Sequence, residues 1–254
     1  MNKKMLVCLS VLVTALLACN LSGVSTTPAP GGNGNQSNAT PPADPISINE
    51  GLASLNSYQM TVIFKSTGPD PSQSSTTTVD MQRSRETKAS YTHITMVSQK
   101  KGKDPTNTET NIYRIGNDEC SGKTDDWSWT SMGPNQAEMF DITKSMLGLT
   151  PLITTPTFVA KETVNGIPSN HFSFKVSGLG VDSGAQVNIN QGDYWLAVDG
   201  QYIVKYDLIL ETSLNPQTDV IHEEVSIDLS QVNQPITIAF PQGCLDASVP
   251  TAVP

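Results

Sequence analysis

The side chains that most often perform chemistry in proteins are sparse in this chain. It has three histidines, His93, His171 and His222, among 24 aspartates and glutamates. The run His222-Glu223-Glu224 lacks the second histidine of a zinc-binding HExxH helix. In a strand, His222 and Glu224 share one side and Glu223 points to the other, into the apolar phase. We therefore expect an exposed polar face here and no metal site.

The acidic runs do not form a metal-binding pattern either. Asn117-Asp118-Glu119 and Asp125-Asp126 are predicted to lie in a loop, and their spacing does not match the alternate oxygen ligands of a calcium loop. No nucleophile elbow, phosphate-binding loop or dinucleotide fingerprint is present. Because no nucleophile, base and orienting group can be named, we expect no catalysis, no metal and no cofactor.

Cys19 is the most informative residue of the chain. It follows Leu16-Leu17-Ala18, at the end of an apolar run that begins after Lys3 and Lys4. A basic start and a short apolar run indicate a secretory signal, since a spanning helix needs ~20 apolar residues. The four residues 16–19 resemble the lipobox of bacterial lipoproteins, which implies lipid on the Cys19 sulfur and cleavage before it. An ordinary signal peptide with a chance cysteine is the alternative.

Charge limits the partners that this chain could have. The net charge is −9, and removal of residues 1–18 with their two lysines makes it −11. Nucleic-acid binding rests on Lys and Arg neutralising phosphates, so we expect no nucleic-acid partner. The acidic balance also gives no attraction to anionic lipid heads, and membrane attachment would rest on the acyl chains at Cys19.

Two cysteines remain after the signal and the lipidated residue are set aside. Cys120 and Cys244 would lie in a compartment that permits disulfides, and two cysteines allow one pairing. In the chain-entropy model, a bridge that closes roughly 120 residues stabilises by about 4 to 5 kcal/mol. The alternative is two unpaired thiols.

Composition divides the chain into four parts. A signal peptide (1–18) is followed by a lipidated flexible tether (19–44), where Gly, Ser, Thr, Asn and Pro dominate without an apolar period. One folded domain (45–246) comes next, and then a disordered tail (247–254). The domain is predicted to begin with a short helix that places Ile48, Leu52 and Leu55 on one face.

Beyond that helix the apolar period changes from about 3.6 to 2. Tyr58, Met60, Val62 and Phe64 alternate with polar residues. The same alternation predicts strands near 75–84, 89–99, 108–115, 125–131, 157–164, 167–176, 193–198, 201–211, 219–229 and 235–240. Asn165-Gly166 and Asp199-Gly200 suit two-residue hairpin turns between them. Short strands joined by tight turns indicate an antiparallel meander with one covered face.

One segment interrupts this series of strands. Residues 134–148 begin with Pro134 and end with Gly148, and their apolar positions follow a helical stripe. A helix at the start and another in mid-chain, combined with one large antiparallel sheet, make the predicted fold class α+β.

This order of elements resembles the LolA-like fold of bacterial lipoprotein carriers and of mycobacterial glycolipid-carrying lipoproteins. The resemblance lies in the amphipathic start through Leu55-Asn56-Ser57-Tyr58, the helical insert, and the late hairpins at 162–172 and 192–206. It implies an N-terminal helix and a large antiparallel sheet curled into an unclosed half-barrel. An inserted helix would act as a plug or lid, with lipid between the plug and the sheet. The periplasmic carrier has no lipid anchor of its own, so the anchored form resembles the mycobacterial group or a receptor-type acceptor more closely.

A lipid site of this kind needs an apolar cavity. The candidate side chains come from the predicted in-phase strand faces and from the inserted helix: Phe64, Phe172, Phe174, Trp195, Tyr206, Leu208, Met139, Phe140 and Met146. The methionines would suit a lid because the thioether is flexible. The alternative is that these side chains fill a closed core, since apolar stripes are the usual mark of one.

Together these features predict an extracytoplasmic lipoprotein that is anchored to a bacterial membrane and binds or carries lipid or lipoprotein acyl chains. The alternative is an envelope or surface lipoprotein that has no lipid cargo and holds a protein partner through its sheet edge or loops. A cavity deep enough for acyl chains separates the two hypotheses.

Overall fold

The computed structural model describes residues 51–123, 126–131, 153–176, 186–213 and 220–248. The strands among them are β1 (Ser57–Thr67), β2 (Ser74–Ser84), β3 (Ala89–Gln99), β4 (Thr106–Ile115), β5 (Asp118–Lys123), β6 (Asp126–Ser131), β7 (Ile153–Val164), β8 (Ile167–Val176), β9 (Gln186–Ala197), β10 (Ile203–Ser213) and β11 (Val220–Ser230). A short helix, α1 (Gln242–Ala247), follows them. The predicted helical insert 134–148 lies outside the described residues.

All eleven strands form one antiparallel sheet in the order β6-β5-β4-β3-β2-β1-β11-β10-β9-β8-β7. The central pair, β1 and β11, joins the first and last of the described strands. Within the described residues, the edge strands β6 and β7 are not paired with each other, so the sheet is not closed into a barrel. This open antiparallel sheet confirms the fold class predicted from the sequence.

Period-2 alternation gives the sheet two different faces. Residues that pair across strands share a face, so the ladder Met81–Met60–Leu229 and the ladder Val79–Val62–Ile227 lie on one side. We call this side the apolar face. The side that carries Lys65, Glu224 and the other intervening residues is the polar face. In the centre of the sheet the alternation therefore separates a water-excluding surface from a more solvated one. Toward the β6 edge the polar face also carries apolar side chains, because Tyr91, Tyr113 and the fully buried Cys120 share it by register.

The β7–β8 turn shows that the sheet curls at one end. The Asn165 side-chain nitrogen donates to Asp228 Oδ1 at 2.9 Å and to the Leu229 carbonyl oxygen at 2.7 Å. Strands β9 and β10 lie between β8 and β11, and three strand spacings are about 14 Å in a flat sheet. A direct hydrogen bond across that gap requires this end to bend over on itself. We call it the closed end.

A helical turn at 51–54 covers the closed end. Leu52 and Leu55 are buried in the main hydrophobic cluster, as the predicted amphipathic start requires. Gly51 allows the close approach, because a Cβ there would lie 2.2 Å from the Gly200 carbonyl oxygen. None of the helices described by the structure is long and apolar enough to cross a membrane.

The C-terminal segment differs from the prediction. Residues 235–240 form no strand, so that prediction is wrong. The segment instead leaves β11 at the closed end, where the Asn233 backbone N–H donates to the Ser57 carbonyl oxygen at 2.8 Å. It then reaches α1, which packs against β6 at the far edge of the sheet. Residues 235–240 alternate between exposed and partly buried side chains because the segment crosses the sheet, and it does so without pairing to a strand.

The disulfide holds this crossing segment in place. Cys120 of β5 is bonded to Cys244 of α1 with a Cα–Cα distance of 5.8 Å, and both cysteines are fully buried. The loop prediction for Asp118 and Glu119 is wrong, because both lie in β5. That strand has few apolar residues to mark it in the sequence, and its pairing with β4 and β6 is what fixes it.

Candidate functional site

Aromatic rings form the floor of the apolar face over β8, β9 and β10. Phe172 and Tyr194 are stacked with centroids 5.1 Å apart, and Phe174 lies 5.2 Å from Tyr206. Each of these four side chains is at most 4% exposed. Phe158 of β7 adds an edge-to-face contact with Phe172 at 5.7 Å and is itself 38% exposed. The floor is therefore dense in its centre and reaches solvent toward β7.

Gly192 makes room for this arrangement. It is paired with Phe174 on one side and with Leu208 on the other. A Cβ at residue 192 would lie 2.3 Å from the end of the Phe174 ring, so the ring occupies the space that any other residue would fill. Because Gly192 has no side chain, the Phe174 ring can lie across β9.

The apolar face becomes polar away from the closed end. Phe64 is opposite Val225, and the next residues on the same face are Ser66 and Glu223, which are opposite each other. On the neighbouring strands the same level holds Ser75, Leu210 and Asn190. Apolar side chains thus fill the face nearer the closed end, whereas at the other end hydroxyl, amide and carboxyl groups adjoin the buried Leu210. An amphiphilic molecule would match this gradient.

Burial controls the ionisation of the polar groups on this face. It raises the pKa of Tyr194 to about 12 and raises that of Tyr206 further. Both phenols therefore stay neutral at any physiological pH. Burial also raises the pKa of the Glu223 carboxyl, because few polar groups replace the water that its charged form would need.

Five of the nine predicted lipid-binding residues lie on the apolar face. Phe172, Phe174, Tyr206 and Leu208 are buried there, and Phe64 is partly buried against the same cluster. The predicted lid residues Met139, Phe140 and Met146 lie outside the described residues. The role of all eight in lipid binding remains a prediction.

Trp195 is placed differently from the other predicted residues. It follows Tyr194 in β9 and therefore points to the polar face, where it pairs with His171 and Lys205. Its ring stacks on His171 with centroids 4.3 Å apart, and its Nε1 donates to Glu162 Oε2 at 2.9 Å. Trp195 is nevertheless partly buried against the hydrophobic cluster, and its role in lipid binding stays a prediction.

His171 is held between two carboxylates on the polar face. Its Nδ1 lies 3.1 Å from Glu162 Oε1, and its Nε2 lies 2.9 Å from Asp193 Oδ1. The pKa of Glu162 is lowered, first by the Trp195 hydrogen bond and then by that of His171. Because both ring nitrogens already face carboxylates, neither is available to take a proton from a neighbouring hydroxyl. The cluster ties β7, β8 and β9 together.

The other two histidines are also paired with acids on this face. His93 Nε2 lies 3.1 Å from Glu109 Oε1, and His222 Nε2 lies 3.2 Å from Glu224 Oε1. Glu224 also accepts from Lys65 at 2.9 Å, which is the main reason that its pKa is lowered. In the part of the chain that the structure describes, no group of three or more His, Cys, Asp or Glu side chains could hold a metal.

Sequence reasoning missed two residues that shape the apolar face. Tyr194 is among the largest fully buried side chains, and its in-phase position with Gly192 could have shown it. Asn190 was missed because its role depends on a gap between strands. Its side-chain oxygen accepts from the Val176 backbone N–H at 2.7 Å, and its nitrogen donates to the Val176 carbonyl oxygen. These two side-chain hydrogen bonds take the place of backbone pairing between β8 and β9, which ends at Phe174 and Gly192.

The chain is similar to several solved structures. It covers 95% of the lipoprotein LppX from Mycobacterium tuberculosis with 76% of its own length, at 15% identity and a TM-score of 0.38. It covers 93% of a putative outer membrane lipoprotein-sorting protein domain from Vibrio parahaemolyticus with 76% of its length, at 10% identity and a TM-score of 0.25. It covers 57% of MucB, solved in complex with MucA(peri), with 74% of its length, at 14% identity and a TM-score of 0.29.

LppX and the lipoprotein-sorting domain are the two kinds of protein to which the resemblance in the sequence pointed. All three TM-scores are below 0.5, so the functional reasoning that follows rests on this sheet's own geometry. No protein-family model matches the chain, and no curated protein matches it.

Proposed function

We propose that this chain is a lipoprotein anchored through Cys19 on the outer side of a bacterial membrane, and that its apolar face binds the acyl chains of a lipid or a lipoprotein. No bond is broken in this activity. The observation that carries the proposal is the polarity gradient of one sheet face, from an aromatic floor to the polar level of Ser66 and Glu223.

Acyl-chain burial supplies the free energy in this proposal. Each CH₂ moved from water into an apolar site contributes ~0.8 kcal/mol, so a chain of ordinary length needs no specific polar contact. The accessible margin of the apolar face, at Phe158 and the partly buried Phe64, offers a surface for it. The neutral phenols of Tyr194 and Tyr206 beneath carry no charge that would oppose it. Chain ends would lie toward the closed end and the head group toward Glu223.

The Cys19 anchor and the cargo require separate measurements. Mass spectrometry of the N-terminal peptide of protein purified from membranes should show diacylglyceryl on Cys19. A Cys19→Ser variant should leave the membrane fraction after a salt wash. An unmodified cysteine would contradict the anchor and leave the cargo proposal standing.

Lipid binding itself is tested by two adjacent positions in β1. Phe64 lies on the apolar face and Ile63 on the polar face, and both are partly buried. Phe64→Ala should weaken binding of a fluorescent fatty acid several-fold, whereas Ile63→Ala should leave it unchanged. Equal effects of the two variants, or no saturable binding by the unchanged protein, would contradict the proposal.

A further inference from the structure

The first half of β4 has an edge to which no strand among the described residues is paired. Strand β5 pairs with β4 only from Asn111, opposite Gly122, to Ile115, opposite Asp118. On the side away from β3, none of the described strands pairs with Thr106–Thr110. All five of these residues are exposed. Alternate backbone N–H and C=O groups along this stretch therefore point outward, with no strand partner in the part of the chain that the structure describes.

This edge lacks the features that usually block pairing with another strand. Natural edge strands carry lysines, internal prolines or bulges that prevent edge-to-edge association. The β3–β4 register runs without a shift from Ala89, opposite Ile115, to Ser98, opposite Thr106. The free stretch contains one charge, Glu109, which is 3.1 Å from His93 of the same sheet. A regular, threonine-rich edge of this kind is suited to accept a strand.

A cleft beside the edge provides the space. It has a volume of about 540 Å³ and lies between residues 107–110 of β4 and the end of the β5–β6 hairpin at Gly122, Lys123 and Asp126. It occupies the position where β5 would continue if it paired with the whole of β4. The room available therefore matches one additional short strand.

We infer that the partner strand is the same stretch, Thr106–Thr110, of a second copy of this chain. Antiparallel pairing about Thr108 places Thr106 opposite Thr110 and Asn107 opposite Glu109, so an amide meets a carboxylate and no two glutamates are directly opposite. The resulting interface is two-fold symmetric and uses the same patch on both copies, as closed dimers do.

The neighbouring loop fits the same arrangement. Thr106 of the second copy would lie beside Thr110, one position before β5 begins to pair with β4. The chain must leave the sheet there, and Pro105 precedes Thr106. Loop 100–105 contains three lysines and one aspartate, Asp104, and its Lys101 is paired with Asp70 at 2.9 Å, which leaves Lys100 and Lys103 to face the partner. They would meet a cleft whose lining contributes two carboxylates, from Glu109 and Asp126, and one ammonium group. Opposite charges therefore meet at both ends of the interface.

The register is tested by cysteine cross-linking of the full-length chain in membranes. Thr108→Cys should cross-link to itself with a short bismaleimide, because the two Cβ atoms would lie about 5 Å apart. Thr106→Cys alone and Thr110→Cys alone should not, since each residue would be about 14 Å from its own counterpart. A mixture of those two variants should cross-link. Gln191→Cys, exposed on the interior strand β9, is the matched negative control.

A charge at the symmetry axis gives the second test. Thr108→Lys places two ammonium groups opposite each other and should reduce cross-linking of the Thr106→Cys and Thr110→Cys mixture at least tenfold. Circular dichroism and thermal melting of this exposed variant should match those of the unchanged protein. Absence of Thr108→Cys dimers, self-linking of Thr106→Cys, or insensitivity to Thr108→Lys would overturn the inference, and lipid binding at the apolar face would be unaffected by any of these results.

Discussion

At the level of single residues, the aromatic floor depends on a missing side chain. Gly192→Ala would drive a methyl group into the Phe174 ring, which is 4% exposed and packed against Tyr194 and Tyr206. Overpacking of this kind costs about 1–3 kcal/mol. We expect that loss in a denaturant titration, whereas Gly68→Ala should be near neutral because its Cβ would meet only the Gln73 carbonyl oxygen, at 3.7 Å.

A double-mutant cycle separates this clash from other effects of alanine. Combining Gly192→Ala with Phe174→Leu should recover part of the lost stability, because the shorter side chain vacates the space. Strictly additive losses would contradict the role assigned to the pair.

Two adjacent glutamates provide opposite pH responses. Burial raises the pKa of Glu223 above its usual 4.5. Ionisation of Glu223 therefore opposes folding, and the protein loses stability as the pH rises above about 4.5. Glu223→Gln should therefore raise the melting temperature at pH 7, and the gain should vanish at pH values below 4.5. Equal melting temperatures of variant and unchanged protein across this range would contradict the placement of Glu223 on the apolar face.

Glu224→Gln is the matched control on the polar face. Lys65 and His222 lower the pKa of Glu224, so its contribution is stabilising above about 4.5 and fades as the pH falls through its lowered pKa. The variant should be slightly less stable at pH 7. The two substitutions should thus change stability in opposite directions.

At the level of elements, the Asn165 turn tests the curl of the sheet. Asn165→Asp keeps a residue that tolerates the positive φ of 53° but replaces the donor with a carboxylate beside Asp228. We expect a loss of about 1–3 kcal/mol, the usual effect of breaking such hydrogen bonds. Faster hydrogen exchange should accompany it in β7, β8 and the end of β11.

The control for this variant is Asn165→Gly. Glycine adopts the same turn without the side-chain hydrogen bonds and without a new charge, so it should lose less stability than the aspartate variant. Two variants as stable as the original would show that the turn does not fasten β8 to β11.

The disulfide fastens α1 to the sheet near its β6 edge. Cys120 and Cys244 are 124 residues apart, and both are fully buried between β5 and α1. The Cys120→Ser, Cys244→Ser double variant should lose about 4–5 kcal/mol in the chain-entropy model. Urea unfolding with and without reductant measures this loss, and a reductant-insensitive midpoint for the unchanged protein would contradict it.

Secondary structure was predictable where one face of an element is apolar throughout. The alternation from Tyr58 to Phe64 and from Tyr202 to Leu210 gave β1 and β10 directly, since apolar side chains fall on every second position. β5 was missed because only Cys120 marks its buried side, and the extended crossing at 235–240 was mistaken for a strand because extended chain alternates whether or not it pairs. Local pattern does not encode pairing partners.

At the level of the whole molecule, the two faces were predictable and the contacts between distant elements were not. The phase of Phe172 and Phe174 indicated a common face, but Trp195 could be assigned only by its register against His171 and Lys205. The same limit applies to Asn165, whose partner on β11 is more than sixty residues away. Such contacts depend on curl, which accumulates over several strands.

Photo-cross-linking tests the central claim most directly. A fatty acid with a diazirine near its chain end, bound to the full-length protein, should label apolar-face residues such as Phe64, Val225 and Leu208, and an excess of unlabelled fatty acid should suppress the label. Peptide mass spectrometry identifies the labelled positions. Label confined to polar-face residues such as Ile63 and Ile209, or no competable label at all, would contradict acyl-chain binding by this sheet.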